Sequence, residues 1–225
     1  RQGTGAARLA AGRASAADQV MDLRLIVITD ARIAQPRSIF DLVSAALDAG
    51  APAIQLRDKN ASARELYEQA IHLLELTRPT GALLFINDRL DVALAAAADG
   101  VHIGPDDMPV DAARAIAPRP FLIGTSTDDP DTARTAERAG ADYIGCGAVF
   151  GTSSKDVAGE RIGPAALRRV VEAVRIPVVG IGGVDTDNVA TIAGTGAAGA
   201  AVIRGVMAAA DVAATVRELL APFNR

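Results

Sequence analysis

The stretch Ile176–Val206, IPVVGIGGVDTDNVATIAGTGAAGAAVIRGV, contains two apolar runs separated by a helical pattern. The runs Val178–Ile181 and Ala200–Ile203 are almost continuously apolar, as expected for parallel strands covered on both faces. Between them, Asn188–Thr195 has helical spacing, and Gly196 follows it where a left-handed residue suits a helix C-terminus. The stretch therefore predicts one strand–helix–strand unit of a parallel sheet.

The same unit recurs along the chain, with eight strand-like runs in regular alternation with helical patterns. The predicted strands are Leu25–Thr29, Ala53–Leu56, Leu83–Asn87, Gly100–Ile103, Phe121–Gly124, Tyr143–Gly147, Val178–Ile181 and Ala200–Ile203. The predicted helices are Ile39–Ala49, Ala63–Thr77, Asp91–Ala97, Val110–Ile116, Asp131–Ala139, Ala165–Val174, Asn188–Thr195 and Asp211–Leu220. This order predicts an α/β fold that is a single, parallel eight-stranded (β/α)8 TIM barrel, with an open doubly wound sheet as the alternative.

Helix ends support this division. Gly50 and Gly140 follow Ala-rich helical stretches and predict helix C-termini. Ser62, Asp129 and Asp185 stand at N-cap positions, where a side-chain oxygen can accept from a free backbone N–H group.

Composition limits the class of protein. The chain has 225 residues, of which 50% are hydrophobic but only 3% aromatic, and its net charge is −4. The apolar content excludes global disorder, while the charge and the few aromatics argue against a nucleic-acid partner. A single cysteine, Cys146, excludes an internal disulfide and favours a reducing, cytoplasmic location. Because no apolar run approaches about 18 residues, we expect no membrane partner.

Residues 1–20 are Ala-rich, contain three arginines and have no acid before Asp18. We expect a disordered extension, with a transit peptide as the alternative, and place the catalytic domain at residues 21–225.

In a barrel of this kind, active sites lie at the carboxyl ends of the strands. After the second strand, alternation places Gln55, Arg57 and Lys59 on one side of the chain, a pattern that suits a phosphorylated anion. Asp88 and Asp107 follow the next two strands, and two carboxylates beside such cations suit Mg²⁺ held together with a diphosphate. The alternatives are a solvated strand end, ordinary helix capping and, for Asp107, a turn.

A second set of strand ends is rich in glycine. Gly182 and Gly183 follow the seventh strand, and Gly205 follows the eighth, where backbone N–H groups could approach a monophosphate. Ser126 after the fifth strand and the hydroxyl-rich loop through Lys155 after the sixth could add ligands. Turns that simply need glycine and a solvent-exposed loop are the alternatives.

Taken in order, these residues resemble the thiamine phosphate synthase family over Leu25 to about Leu220. The matching motifs are IQLRDK at Ile54–Lys59, IND at Ile86–Asp88, DGVHIGPDD at Asp99–Asp107, IGTS at Ile123–Ser126, ADYIGCGAVFGTSSK at Ala141–Lys155, IPVVGIGGV at Ile176–Val184 and AVIRGV at Ala201–Val206. The glycine motifs are common to several barrel families, whereas QLRxK, ND and GxxxxTxSK in this order form a specific set.

The resemblance implies a transferase of thiamine biosynthesis. The family couples 4-amino-2-methyl-5-(diphosphooxymethyl)pyrimidine to 4-methyl-5-(2-phosphooxyethyl)thiazole, or its carboxylated form, and releases pyrophosphate. It implies Mg²⁺ as the cofactor, held by Asp88 and Asp107. It implies that the pyrimidine diphosphate is bound by Gln55, Leu56, Arg57, Asp58, Lys59, Asn87, Ser126 and Lys155. It implies that the thiazole phosphate is bound by Thr152, Ser153, Ser154, Gly183, Ile203 and Arg204.

Within this set, Arg57, Lys59, Ser126 and Lys155 are the expected catalytic residues. The expected partners are the two small-molecule substrates, and a homo-oligomer stays open. The sequence also departs from the family: Pro105 stands where Gln is usual, and Arg204 stands where Ser is common.

Two other functions compete with the synthase. A thiazole tautomerase-like isomerase of the same fold is expected to have His two residues after Ser126, where this chain has Asp128. A non-catalytic module that binds thiamine precursors would bind ligand without turnover.

Overall fold

The computed structural model describes residues 21–151 and 161–224, so the extension predicted at residues 1–20 lies outside it. Within the described residues, eight strands form a closed barrel in sequence order, and every neighbouring pair is parallel. The strands are β1 Leu25–Ile28, β2 Ala53–Leu56, β3 Leu83–Asn87, β4 Gly100–Ile103, β5 Leu122–Ser126, β6 Tyr143–Cys146, β7 Val178–Ile181 and β8 Gly199–Val202. The predicted (β/α)8 barrel is confirmed.

Helices connect the strands on the outside of the barrel. They are α1 Ala31–Ala34, α2 Ile39–Asp48, α3 Ala63–Thr80, α4 Leu90–Ala96, α5 Val110–Ile116, α6 Pro130–Ala139, α7 Gly163–Ala173, α8 Val189–Ala193, α9 Arg204–Met207 and α10 Val212–Leu220, followed by a 3₁₀ turn at Ala221–Phe223. Between residues 21 and 224, leaving out 152–160, no helix has the length and hydropathy needed to cross a membrane.

Most predicted helix ends agree with the structure. Ser62 and Glu65 form a reciprocal capping box at the start of α3, which satisfies two backbone N–H groups. Asp129 accepts from Thr132 at the start of α6, and Gly140 ends that helix in the left-handed region.

Two helix starts differ from the sequence prediction. The predicted N-cap at Asp185 is wrong, because α8 begins after Asn188 and the Asp185 carboxylate instead accepts from the N–H groups of the loop residues Asp187 and Asn188. The short helix α1 was not predicted, because four residues carry too little periodicity to be recognised in sequence.

Two aromatic rings occupy the barrel interior because glycines on neighbouring strands leave room for them. A Cβ atom on Gly124 would lie 2.1 Å from Cζ of Tyr143, and one on Gly100 would lie 2.8 Å from Cε1 of Phe85. The two rings meet edge to face, with centroids 5.3 Å apart. An edge-to-face contact of this kind is a favoured aromatic geometry. Outside the strands, the core is aliphatic and continuous with the buried faces of the helices.

We predict opposite stability effects for two buried threonines. Thr77 Oγ1 on α3 is one of the buried side-chain atoms without a hydrogen-bond partner within the described residues, so Thr77→Val removes an unsatisfied hydroxyl. We expect the free energy of unfolding to rise by about 1 kcal/mol, measured by urea denaturation.

The matched control is Thr195→Val. Thr195 Oγ1 donates to the Ile192 carbonyl at 2.7 Å and accepts from Ala197 N at 3.3 Å. Here the same substitution should lower the free energy of unfolding by about 1 kcal/mol. Destabilisation by both variants would contradict the account of Thr77.

Candidate active site

The predicted site residues within the described part of the chain lie at one end of the barrel. They are Gln55, Leu56, Arg57, Asp58, Lys59, Asn87, Asp88, Asp107, Ser126, Gly183, Ile203 and Arg204, in or directly after strands β2 to β5, β7 and β8. The predicted ligands Thr152, Ser153, Ser154 and Lys155 lie outside the described residues.

Two carboxyl groups meet at this rim. Asp88 follows β3 and Asp107 follows β4, and their side chains are close enough to interact with each other. Burial, followed by the hydrogen bond and charge of Asp107, raises the pKa of Asp88 to about 6, while Lys59 and Arg57 act in the opposite direction. Asp88 also has φ = 64°, a left-handed backbone that few residues other than Gly, Asn and Asp adopt easily. The pair is therefore a concentration of negative charge beside two cations.

Neither carboxylate is a helix cap. The N-cap residues of α4 and α5 are Arg89 and Pro109, and neither helix has a side-chain cap bond. Asp107 Oδ2 instead accepts from the backbone N of Gly104 at 2.7 Å, which holds that carboxylate at the end of β4. The capping alternative for Asp88 and Asp107 is thus wrong.

Arg57 is held by the residues that follow β1. Its side chain is 9% exposed, and its guanidinium NH1 lies 3.4 Å from Oδ2 of Asp30. Its backbone N–H donates to Thr29 Oγ1 at 2.9 Å. Asp30 also caps α1 by accepting from Arg32 and Ile33. Arg57 is therefore fixed at the rim from two sides.

The other members of the QLRDK motif differ in their surroundings. Gln55 is buried in the barrel, where its side chain interacts with Tyr143. Leu56 is fully buried, which leaves its backbone as the group able to contact a ligand. Asp58 Oδ1 accepts from Asn60 N in a turn, and Lys59 is exposed.

The glycine-rich part of the rim brings backbone segments into close contact. Gly183 has φ = 66°, and a Cβ atom there would lie 2.1 Å from the Gly151 carbonyl oxygen. The Gly183 carbonyl accepts from Asn188 Nδ2 at 2.8 Å. Ile203 is buried, and the exposed Arg204 begins the short helix α9, which contains Gly205.

Sequence reasoning missed four residues at the site. Thr29 and Asp30 come directly after β1, so the strand-end rule applied to that strand would have found them. Tyr143 and His102 lie inside the barrel, and the His102 ring contacts both Tyr143 and Ser126. Only an assignment of inward-facing positions could have found these two. The other histidine, His72, is exposed and stacks on Phe40.

The donor set suits a hard divalent cation that is also bound by substrate. No group of three or more His, Cys, Asp or Glu side chains within residues 21–151 and 161–224 could hold a metal. Mg²⁺ usually takes one or two carboxylates and completes its shell with waters and phosphate oxygens. The Asp88–Asp107 pair, whose mutual repulsion a cation would relieve, fits that requirement.

Comparison with known proteins gives the family. The family model described as thiamine monophosphate synthase matches residues 25–206. The chain belongs to the thiamine monophosphate synthase family. It is 48% identical to the thiamine-phosphate synthase of Moorella thermoacetica over 195 residues, which are 87% of this chain and 93% of that protein. It is 49% identical to the thiamine-phosphate synthase of Pyrococcus furiosus over 197 residues, which are 88% and 93% of the two chains.

A solved structure agrees. The thiamine phosphate pyrophosphorylase from Pyrococcus furiosus superposes with a TM-score of 0.82 at 46% identity, covering 90% of this chain and 96% of that one. The predicted family and the predicted transferase class, a thiamine phosphate synthase in thiamine biosynthesis, are confirmed. The comparisons support the synthase rather than the isomerase or the binding module.

We predict that the carboxyl pair makes the metal-free protein less stable as pH rises. An aspartate with a folded pKa of about 6 binds its proton more tightly in the folded state than in the unfolded state, where the pKa is about 4. The resulting stability is complete below pH 4 and is lost as pH rises through 6. Asp88→Asn removes this effect and tolerates the left-handed backbone. In EDTA at pH 7.5, its free energy of unfolding should exceed that of the unsubstituted protein by about 1 kcal/mol, after discounting for partial exposure.

The measurement is urea denaturation at pH 7.5 and pH 4, with Asp106→Asn as the control. Asp106 is the exposed neighbour of Asp107, so its substitution should leave stability almost unchanged at both values. A gain for Asp88→Asn that does not shrink toward pH 4 would contradict the account of the pair.

We predict that Asp30 stabilises the rim mainly through Arg57. Asp30→Asn retains the oxygen that caps α1 but removes the charge that faces the buried guanidinium. We expect the free energy of unfolding to fall by about 2 kcal/mol, less than for a pair buried away from water. Asp129→Asn is the control, because Asp129 caps α6 without a buried ion pair. Equal effects of the two variants in urea denaturation would contradict the role of the ion pair.

Proposed function

We propose that this protein is a thiamine-phosphate synthase that uses Mg²⁺ at the Asp88–Asp107 pair. The observation that carries this proposal is the convergence of that pair with Arg57 and Lys59 at the rim. A metal-bound diphosphate needs carboxylates for the cation and a guanidinium or ammonium group for the phosphate oxygens. Here the charges of Asp107, Lys59 and Arg57 all shift the pKa of Asp88.

In the proposed reaction, one bond breaks and one forms at the pyrimidine methylene carbon. The C–O bond to the diphosphate breaks, and its electron pair leaves with the pyrophosphate. The thiazole nitrogen then supplies the electron pair of the new C–N bond. No side chain has to act as a nucleophile, so the task of the chain is to stabilise charge and align the substrates.

The described residues divide this task. The buried Arg57 can donate two parallel hydrogen bonds to the diphosphate, because Asp30 and Thr29 hold its side chain and backbone in place. Lys59 adds a second positive charge. When bound, Mg²⁺ would neutralise charge that develops on the departing pyrophosphate. Gln55, Asn87 and Ser126 are proposed to contact the pyrimidine diphosphate.

The thiazole phosphate is proposed to bind at the glycine-rich part of the rim. Gly183 is compressed against Gly151, so no side chain separates a ligand from the backbone there. Arg204 is an exposed cation at the start of α9, and an Arg can bind a phosphate more strongly than the Ser common in the family. Thr152, Ser153 and Ser154 are also proposed to bind the thiazole phosphate, and Lys155 is proposed to bind the pyrimidine diphosphate. A cytoplasmic location, a homo-oligomer and the domain boundary at residue 21 stay predictions.

The direct test is product formation. Incubation with both phosphorylated precursors and Mg²⁺, followed by oxidation to fluorescent thiochrome, should reveal thiamine phosphate that is absent without enzyme or with EDTA. Asp107→Asn should lower kcat/KM by about 100-fold or more, because one of the two charges facing the cation is lost. Asp106→Asn, one residue away and exposed, should retain activity.

Other outcomes decide between the functions. Isomerisation of the thiazole phosphate without the diphosphate would favour the isomerase. Binding of both precursors without product would favour the binding module.

A further inference from the structure

A chain of four polar side chains crosses the barrel interior. Gln55 on β2 interacts with Tyr143 on β6, whose hydroxyl lies 2.9 Å from Nδ1 of His102 on β4. Nε2 of His102 lies 2.8 Å from Oγ of Ser126, the last residue of β5. The proposed function uses the two ends of this chain, Gln55 and Ser126, but gives no task to Tyr143 or His102.

The direction of the hydrogen bonds follows from the burial of Tyr143. Its side chain is 1% exposed, and burial raises its pKa far above the usual value, so the hydroxyl keeps its proton. Nδ1 of His102 lies 2.9 Å from this hydroxyl, within hydrogen-bond distance. We therefore assign Nδ1 of His102 as the acceptor of the Tyr143 O–H.

His102 extends the hydrogen-bond chain from Tyr143 to Ser126 at the rim. A neutral imidazole that accepts at Nδ1 carries its proton on Nε2, and that N–H donates to Ser126 Oγ. The Ser126 hydroxyl has thereby filled one acceptor position from inside the barrel, and its own proton is left to point elsewhere. Ser126 is half-buried at the carboxyl end of β5, so a bound substrate can meet it there.

We propose that Tyr143 and His102 are positioning residues that hold the Ser126 hydroxyl as a hydrogen-bond donor toward an acceptor atom of the pyrimidine diphosphate. This inference rests on the proposed function. According to this proposal, the hydrogen-bond directions from Tyr143 through His102 determine that the Ser126 hydroxyl donates to the substrate.

Two glycines show that the fold reserves space for this chain. A Cβ atom on Gly124 would lie 2.1 Å from the Tyr143 ring, and one on Gly145 would lie 3.0 Å from Cε1 of His102. The positions of the hydroxyl and of the imidazole are therefore set by backbone contacts as well as by hydrogen bonds.

The first test observes the tautomer. The chain has only two histidines, so His72→Gln on the outer surface leaves His102 as the single imidazole signal in ¹⁵N NMR. At pH 8.5, above the usual histidine range, we expect a neutral ring protonated at Nε2. Tyr143→Phe should shift the ring toward the Nδ1-protonated form. If His102 is protonated at Nδ1 in the protein that retains Tyr143, the proposal is overturned. This measurement requires neither turnover nor substrate.

The second test asks whether Tyr143 acts through Ser126. Calorimetric binding of the pyrimidine diphosphate with Mg²⁺, without thiazole phosphate, should weaken about tenfold in Tyr143→Phe, as expected for a hydrogen bond worth about 1.4 kcal/mol. In a Ser126→Ala background the same substitution should change the dissociation constant by less than about twofold. Equal weakening in both backgrounds, or none in either, would overturn the proposal.

The control is Tyr67→Phe. Tyr67 is the only other tyrosine and is exposed on α3, so the dissociation constant should not change. Failure of the unsubstituted protein to bind the diphosphate would refute the proposed function, while the tautomer measurement would still decide the proton order.

Discussion

Tyr143 can enter the barrel only because Gly124, on the adjacent strand, has no side chain. A Cβ atom at Gly124 would collide with the ring, so the two positions depend on each other. The ring then contacts Phe85 along its edge and presents its hydroxyl to His102. This close approach fills the centre of a barrel made of four- and five-residue strands, and it also places the polar groups that lead to Ser126. The contact between Gly124 and Tyr143 thus affects both the packing of the core and the arrangement of the site.

At the rim, the arrangement is dominated by charges that would be unfavourable alone. Asp88 and Asp107 repel each other, and burial adds to the cost for Asp88, while a hydrogen bond from the Gly104 N–H holds the Asp107 carboxylate in place. Arg57 is more deeply buried than either carboxyl group, but Asp30 compensates its charge. A metal and a diphosphate would supply the missing opposite charges. The site is therefore arranged for its ligands at some expense in stability, as is common for functional sites.

The barrel could be predicted because short apolar runs and helical patterns alternate strictly, which indicates a parallel sheet, and because the chain has eight such units. The strand-end rule also identified Arg57, Asp88 and Asp107, since their place at the rim follows from topology. It could not identify the contact between His102 and Ser126, which depends on which residues face inward and on the missing side chain of Gly145. Helix α1 and the cap at Asn188 were missed because they depend on a few local hydrogen bonds rather than on a periodic pattern.

The central claim is that the Asp88–Asp107 pair holds the metal of a bound diphosphate. A crystal of the protein grown with Mn²⁺ and pyrophosphate tests it most directly, because Mn²⁺ scatters anomalously and accepts similar oxygen ligands. The account predicts an anomalous peak in contact with both carboxylates, with pyrophosphate between the metal and Arg57. Pyrophosphate bound at the rim with the metal absent from both carboxylates would contradict it.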